Sequence, residues 1–350
     1  MITQAVRDSK DARSGSGHAS RTEPLRGRRH TALIEREPAV SVVIPTVLRP
    51  SVRRALASVR DQSYKGQVQV VVVVDKSAHG IPADTLEYVA DADVILFTGG
   101  GRGAAVARNQ GVESATGEIV AYLDDDDEWA PQKLELQTSA LRTTEGYLDE
   151  RLVVGCRVVE RHAAGSMVTQ PIPVRTIEAG QPIEDYLFRA RRPGLGRASF
   201  FTSCTMATRA LAEKVPWKAD LRRHQDWDWL IRAQYDAGVQ FQQIDDALTI
   251  YAVGSTESIS AKADWRSSLD WARTWRGRWD SQTYVDFIAA QCLRYAVQGR
   301  SSVGLRACLA ELRDSGTAPG IGPTFMALGS LVPRRILERQ AVWLAQRGVV

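Results

Sequence analysis

Five consecutive valines, Val70–Val74, preceded by Val68 and ended by Asp75, constrain the fold of this chain more than any other stretch. A strand that is apolar at every position is buried on both faces, which marks a parallel sheet. Its neighbours agree. Val40–Ile44 is a short apolar strand stopped by Pro45. Pro50 and Ser51 suit a helix start, and Val52, Leu56 and Val59 then recur at helical spacing up to Gln62. Pro82–Ala90 reads as a helix and Asp93–Phe97 as a strand. A glycine-rich loop, Gly99–Gly103, leads into a helix running through Gly111 to Ala115. Strand Ile119–Leu123, helix Pro131–Thr144 and strand Leu152–Val159 follow. Alternation of this kind predicts an α/β fold, a mostly parallel sheet flanked by helices.

The strand Ile119–Leu123 ends in four carboxylates, Asp124, Asp125, Asp126 and Asp127, followed by Glu128, Trp129, Ala130 and Pro131. Out of context, such a run is a solvated turn, because like charges repel and are not buried unpaired. Here it stands at the C-terminal end of an apolar strand, the edge where open α/β sheets bind ligands. Clustered carboxylate oxygens there suit a hard divalent cation. Mg²⁺ is typically held by one or two carboxylates together with substrate phosphates. The glycine loop contains neither GxxxxGK nor GxGxxG, since Val106 stands at the last position. The helix start behind it suits an anion.

The rest of the chain bounds the function class. With 350 residues, 44% hydrophobic and 25% charged, it suits a soluble protein with one large domain and an appendage. A net charge of +4 gives no basis for a nucleic-acid partner. Cys156, Cys204, Cys292 and Cys308 are scattered, without a CxxC pair, which fits a reducing cytosol. No apolar run reaches the length of a membrane span, and the first residues lack a signal-peptide core. The expectation is a cytoplasmic protein. Residues 1–38 read as a disordered basic tail, 39–258 as the main domain and 259–350 as a helical region.

Five separated segments, in order, resemble the family 2 glycosyltransferases of the GT-A fold. Val42-Val43-Ile44-Pro45-Thr46 looks like the family's first strand and nucleotide-binding turn. Ser58-Val59-Arg60-Asp61-Gln62-Ser63-Tyr64 is similar to "S-V-x-x-Q-T/S-Y", and Val73-Val74-Asp75-Lys76-Ser77 to "V-D-D-x-S". Ala107-Arg108-Asn109-Gln110-Gly111 with Ala115-Thr116-Gly117-Glu118 resembles "A-R-N-x-G…A-x-G-E". The acidic run matches "L-D-x-D-D-x-W". The resemblance covers about residues 40–255 and implies an inverting transferase acting on a nucleotide-diphospho-sugar, most simply a UDP-sugar, with Mg²⁺ or Mn²⁺. It implies Asp126 as metal ligand, with Asp124 and Asp125 against the nucleotide and donor sugar. Asp75 would accept a hydrogen bond from the base, and Pro45 and Thr46 would line the nucleotide cleft. Arg108 would meet the diphosphate or form a structural ion pair with the acidic run. Val74 replaces the first acid the family has beside Asp75.

Phe200–Arg209 resembles the family's strand beside the acceptor, and His224–Arg232 its "E-D-x-D-L-x-L-R" segment. There the resemblance implies Asp226 as catalytic base; unaided, Asp226 reads as a helix cap. A hydroxyl is a poor nucleophile until a positioned carboxylate takes its proton. Asp228 reads as a structural acid. Gln225 replaces the usual Glu, which removes a like charge beside Asp226. The family's histidine after the "Y-R" strand is missing from Ile250–Ser258, where Glu257 is the substitute at hand. About residues 160–200 read as loops and short elements, and 284–313 as helical. Trp271, Trp275 and Trp279 share one helical face, read as core packing over a sugar-stacking platform. The last helix, Arg334–Arg347, carries four arginines and suits a peripheral contact with the inner face of an anionic membrane, a partner chain, or docking on its own domain. The acceptor would be a glycan, a lipid-linked sugar or a small molecule. Two rival readings are a nucleotidyltransferase on a similar sheet and a non-catalytic sugar-nucleotide or glycan-binding protein.

Overall fold

The computed structural model describes residues 36–162, 165–189, 198–254 and 263–329. The basic tail before residue 36, Arg191, Arg192 and Arg197, Glu257, and the helix expected over Arg334–Arg347 lie outside the described residues. In chain order the elements are β1 (Val40–Thr46), α1 (Val52–Arg60), β2 (Val68–Val74), α2 (Ala83–Leu86), β3 (Val94–Phe97), α3 (Ala104–Glu113), β4 (Ile119–Tyr122), β5 (Glu128–Trp129), α4 (Lys133–Ala140), β6 (Leu152–His162) and β7 (Met167–Ile172). Then come α5 (Ile183–Phe188), β8 (Met206–Thr208), α6 (Arg209–Lys214), α7 (Gln225–Ala237) and β9 (Gln240–Val253). The chain continues with α8 (Trp265–Arg273), α9 (Ser281–Phe287), α10 (Arg294–Gln298), α11 (Ser302–Ser315) and α12 (Ile321–Gly329).

One sheet runs in the order β3-β2-β1-β4-β8-β6-β9-β5, with β7 paired to β6. Its first half, β3-β2-β1-β4, is wholly parallel, as the valine run predicts. Val70–Val74 have no exposed surface, because helices cover both faces of β2. Beyond β4 the sheet is mixed: β8 is antiparallel to β4 and β6, and β9 is parallel to β6. The acidic run follows β4, in the centre of this sheet.

Two expectations change. Pro45 does not end β1, which stays paired through Pro45↔Val73 and Thr46↔Val74. On its other side β1 pairs with β4 only as far as Val43↔Tyr122, so no partner there needs the amide hydrogen that proline lacks. The tryptophan stripe is core, with Trp271, Trp275 and Trp279 all buried, but α8 ends at Arg273. The next residues turn through hydrogen bonds such as Trp275 N to Ala272 O at 2.9 Å, and Trp275 and Trp279 stack at 6.0 Å. Their core is shared with Trp229 of α7 and Phe188 of α5, so the C-terminal helices buttress the helix that carries Asp226. Within 160–200 the described short elements are β7, paired to β6, and α5, six residues each. No described helix is long and apolar enough to cross a membrane.

Candidate active site

Three of the quoted motifs hold the acidic turn directly, through Thr46, Gln62 and Arg108. Gln62, at the end of α1, donates to Ala130 O at 2.8 Å and accepts from Leu134 N at 2.9 Å, tying down the chain that leaves the turn. Gly111 lets α3 lie on β1, since a Cβ there would meet Val43 Cγ1 at 2.3 Å. Asn109 makes a two-way clamp with the backbone of Trp217, both bonds at 2.8 Å. Trp217 in turn lies beneath the Arg108 guanidinium, 4.7 Å from its ring centroid.

Each aspartate of the run has its own environment. Asp124 accepts from buried Arg108 at 2.6 Å, so Arg108 forms the ion pair with the run. Asp125 is 1% exposed; Thr46 Oγ donates to its Oδ2 at 2.6 Å, and Arg49 grips both of its oxygens. Burial raises the Asp125 carboxyl above its usual range, and the bonds from Thr46 and Arg49 offset only part of this. The side chain of Asp126 is 28% exposed and meets Arg49 Nη1 at 3.2 Å. Burial and then the neighbouring Asp124 charge raise it too. Asp127 is 1% exposed, bonded to Ala252 N at 2.8 Å and Ser203 Oγ at 2.5 Å. Burial, then Asp124, pushes it well above the usual carboxylate range.

Pro45 and Thr46 sit where β1 opens toward this turn, and Thr46 is hydrogen-bonded into it. Asp75 ends β2 on the same edge. It accepts from Thr98 Oγ, from Arg102 N at 2.9 Å and from Gly103 N at 2.8 Å. A carboxylate of the chain itself thus sits at the start of α3, the place suited to an external anion. Burial works against ionisation of Asp75, but these three donors outweigh it and lower its pKa.

Asp226 stands in the first turn of α7, where the helix dipole favours a carboxylate. Asp228 is two positions on and fully buried, bonded to Arg232 Nε at 2.7 Å and Trp271 Nε1 at 3.1 Å. It is the structural acid of the pair. The residue before α7, His224, takes a left-handed φ of 61° and bonds Ser268 at 2.9 Å, fixing the helix start on α8. The charges of Asp226 and of the acidic run both bear on Tyr251 of β9. Burial raises the pKa of the Tyr251 phenol, and the charges of Asp127, Asp124, Asp226 and Asp126 add to it. One phenol therefore lies within electrostatic reach of the candidate base and of three acids of the run.

Three contributors to this site were not singled out from the sequence. Arg49 lies in the loop after β1. Arg161 of β6 donates to Asp126 O at 3.1 Å and pairs with Glu128. Ser203 precedes β8. The signal for Arg49 was its place: a cation three residues beyond the end of a parallel strand, on the edge that carries four acids. Arg161 lies on a strand, and Ser203 in a turn, whose placement beside the run no local pattern gives.

The donor set is wholly oxygen. Among the described residues no three His, Cys, Asp or Glu side chains converge as a ready cage. Carboxylate oxygens are the donor type of a Mg²⁺- or Mn²⁺-type ion, which takes one or two carboxylates when phosphates complete its shell. Asp126, the more exposed of the two acids held by Arg49, is the candidate ligand.

Comparison with known proteins adds the lineage. The family described as "Glycosyl transferase family 2" matches residues 41–214. The amylovoran biosynthesis glycosyltransferase AmsB of Erwinia amylovora is 32% identical over 221 residues, 60% of this chain and 68% of that protein. The UDP-Glc:alpha-D-GlcNAc-diphosphoundecaprenol beta-1,3-glucosyltransferase WfgD of Escherichia coli is 33% identical over 104 residues, 29% of this chain and 40% of that protein. Among solved structures, S. aureus TarS 1-349 in complex with UDP-GlcNAc aligns with a TM-score of 0.55 at 16% identity, covering 79% of this chain and 81% of that one. At that identity the likeness is one of fold.

Proposed function

Because the chain belongs to glycosyl transferase family 2, we propose that it moves a sugar, with inversion, from a UDP-sugar to a hydroxyl of a glycan or lipid-linked acceptor. The observation that carries this reading is the acidic turn at the C-terminal edge of the parallel strands, with Thr46 bonded to Asp125 and Asp126 its partly exposed acid. An inverting transfer needs two things at opposite ends of the reacting carbon. One is a base for the incoming hydroxyl; the other is stabilisation of the charge that grows on the departing diphosphate. Asp226 supplies the first. Asp126 would hold the metal, which when bound supplies Lewis-acid stabilisation of that charge. Thr46, Pro45 and Asp75 would line the edge on which the nucleotide lies, beside Asp124, which Arg108 holds. The acceptor class is supported by two relatives, one named for amylovoran biosynthesis and one for a diphosphoundecaprenol-linked acceptor.

The test is a thermal-shift and calorimetry panel of UDP, GDP, dTDP and ADP, each with and without Mn²⁺. A ligand of the native state raises stability by mass action. UDP with Mn²⁺ is expected to stabilise the protein, and Asp126→Ala to lose the metal-dependent part. Preference for another nucleotide changes the donor assignment. The absence of any nucleotide response overturns the reading.

A further inference from the structure

The Arg49 guanidinium lies across two consecutive carboxylates of the run. Its Nε donates to Asp125 Oδ2 at 3.3 Å, its Nη2 pairs with Asp125 Oδ1, and its Nη1 reaches Asp126 Oδ2 at 3.2 Å. The two halves of this grip differ. Asp125 is buried, holds Arg49 through both carboxylate oxygens and is fixed in turn by Thr46. Asp126 is partly exposed and is reached by one nitrogen. The loop that carries Arg49 is set rather than loose. Thr46 Oγ accepts from Leu48 N at 2.8 Å while donating to Asp125, and buried Leu48 is held at a φ of 62°. A non-glycine residue in that region is kept there by its surroundings.

We propose that Arg49 is a donor-binding residue of this site: anchored on Asp125, it neutralises Asp126 before the donor arrives and passes its Nη1 to a diphosphate oxygen when a divalent cation takes Asp126. The inference rests on the reading of the acidic turn as the sugar-nucleotide site. A cation on Asp126 and Arg49 Nη1 compete for the same carboxylate and repel one another. The planar fork can release Nη1 while Nε and Nη2 stay on Asp125, and guanidinium geometry suits bridging a carboxylate and a phosphate. No bond of the chain is made or broken in this exchange; one salt bridge is traded for another.

Arg49 therefore acts with opposite sign on the two ligands, which a merely structural residue would not do. Mn²⁺ binding without nucleotide is measured by the electron paramagnetic resonance signal of the free ion, and UDP binding in saturating Mn²⁺ by calorimetry. Arg49→Met is expected to bind Mn²⁺ alone about three- to tenfold more tightly, because a competing charge is gone. It is expected to bind UDP with Mn²⁺ about tenfold or more weakly, because a charge-assisted phosphate contact is gone. Arg49→Lys keeps the charge and loses the fork, so Mn²⁺ affinity should stay near wild type while UDP affinity falls. It carries the test if Arg49→Met does not fold. If the wild type binds both ligands and the variants lose both affinities together, or neither, the role of Arg49 is overturned and the donor site stands. If the wild type binds neither, the donor-site reading falls and this inference with it.

Discussion

Ser203 and Asp127 are joined by a 2.5 Å hydrogen bond, and the same hydroxyl accepts from Asp124 N at 3.0 Å. One side chain from the turn before β8 thus fixes both ends of the acidic run. Trp129 locks that turn in its own way, through Nε1 to Ser203 O at 2.8 Å. The arrangement lets a buried Asp127 shape the loop while Asp126 faces outward. Ser203→Ala leaves Asp127 without one of its donors. The expected loss of stability is about 1–3 kcal/mol, the cost of an unsatisfied buried group. Urea denaturation checks it. An unchanged midpoint would show that the turn does not depend on this hydroxyl.

Asp226→Asn should leave UDP binding in place and lower the rate of transfer by about 10²–10⁴-fold, the usual worth of a general base. The effect belongs in kcat, because the group acts on a proton that moves in the transition state. Transfer assays alongside UDP calorimetry separate the two. Near-normal turnover would take Asp226 out of the base role, and loss of UDP binding would make it a donor contact instead.

Much of this was legible in the sequence, for identifiable reasons. The parallel half of the sheet announces itself because β2 is apolar at almost every position and β4 ends in charge. The acidic run was legible because four carboxylates follow a buried strand at the sheet edge where ligands bind. What escaped was long-range pairing. Arg161 and Ser203 reach the run from β6 and the turn before β8, and nothing local in those strands marks their neighbours. Pro45 misled because its missing hydrogen matters only where a partner strand needs it, and that depends on how far β4 extends. The motif Ala107–Gly111 was readable as a signature. Its physical basis is close packing at Gly111 and the Asn109 clamp on Trp217, more than a hundred residues away in the chain.

The Asp75 carboxylate gives a pH prediction. Its pKa is lowered in the folded protein, since Thr98, Arg102 N and Gly103 N together outweigh the effect of burial. A group with a depressed folded pKa stabilises the fold fully above its unfolded value, about 3.9 for an aspartate. That stabilisation is lost as pH falls through the folded value. Wild type and Asp75→Asn should therefore differ in urea midpoint by a constant amount from neutral pH down to about pH 5 and converge below about pH 4. A gap that persists unchanged into strong acid would show that the loop does not depend on the ionised group.

Trp279 separates a core role from a sugar platform. It is 4% exposed, stacks on Trp275, and meets Phe188 at 5.3 Å and Phe287 at 5.8 Å. Phe188 also packs on Trp227, the residue after Asp226, at 5.1 Å. The cluster thus supports the helix start that presents the candidate base. Trp279→Ala should cost about 3–5 kcal/mol, as large-to-small changes of buried aromatics do. At a temperature where the variant is still folded, UDP affinity should be unaltered, because the acidic turn is built by other residues. Chemical denaturation reads the first effect and calorimetry the second. Intact stability together with weakened acceptor affinity would assign the tryptophan to the substrate instead.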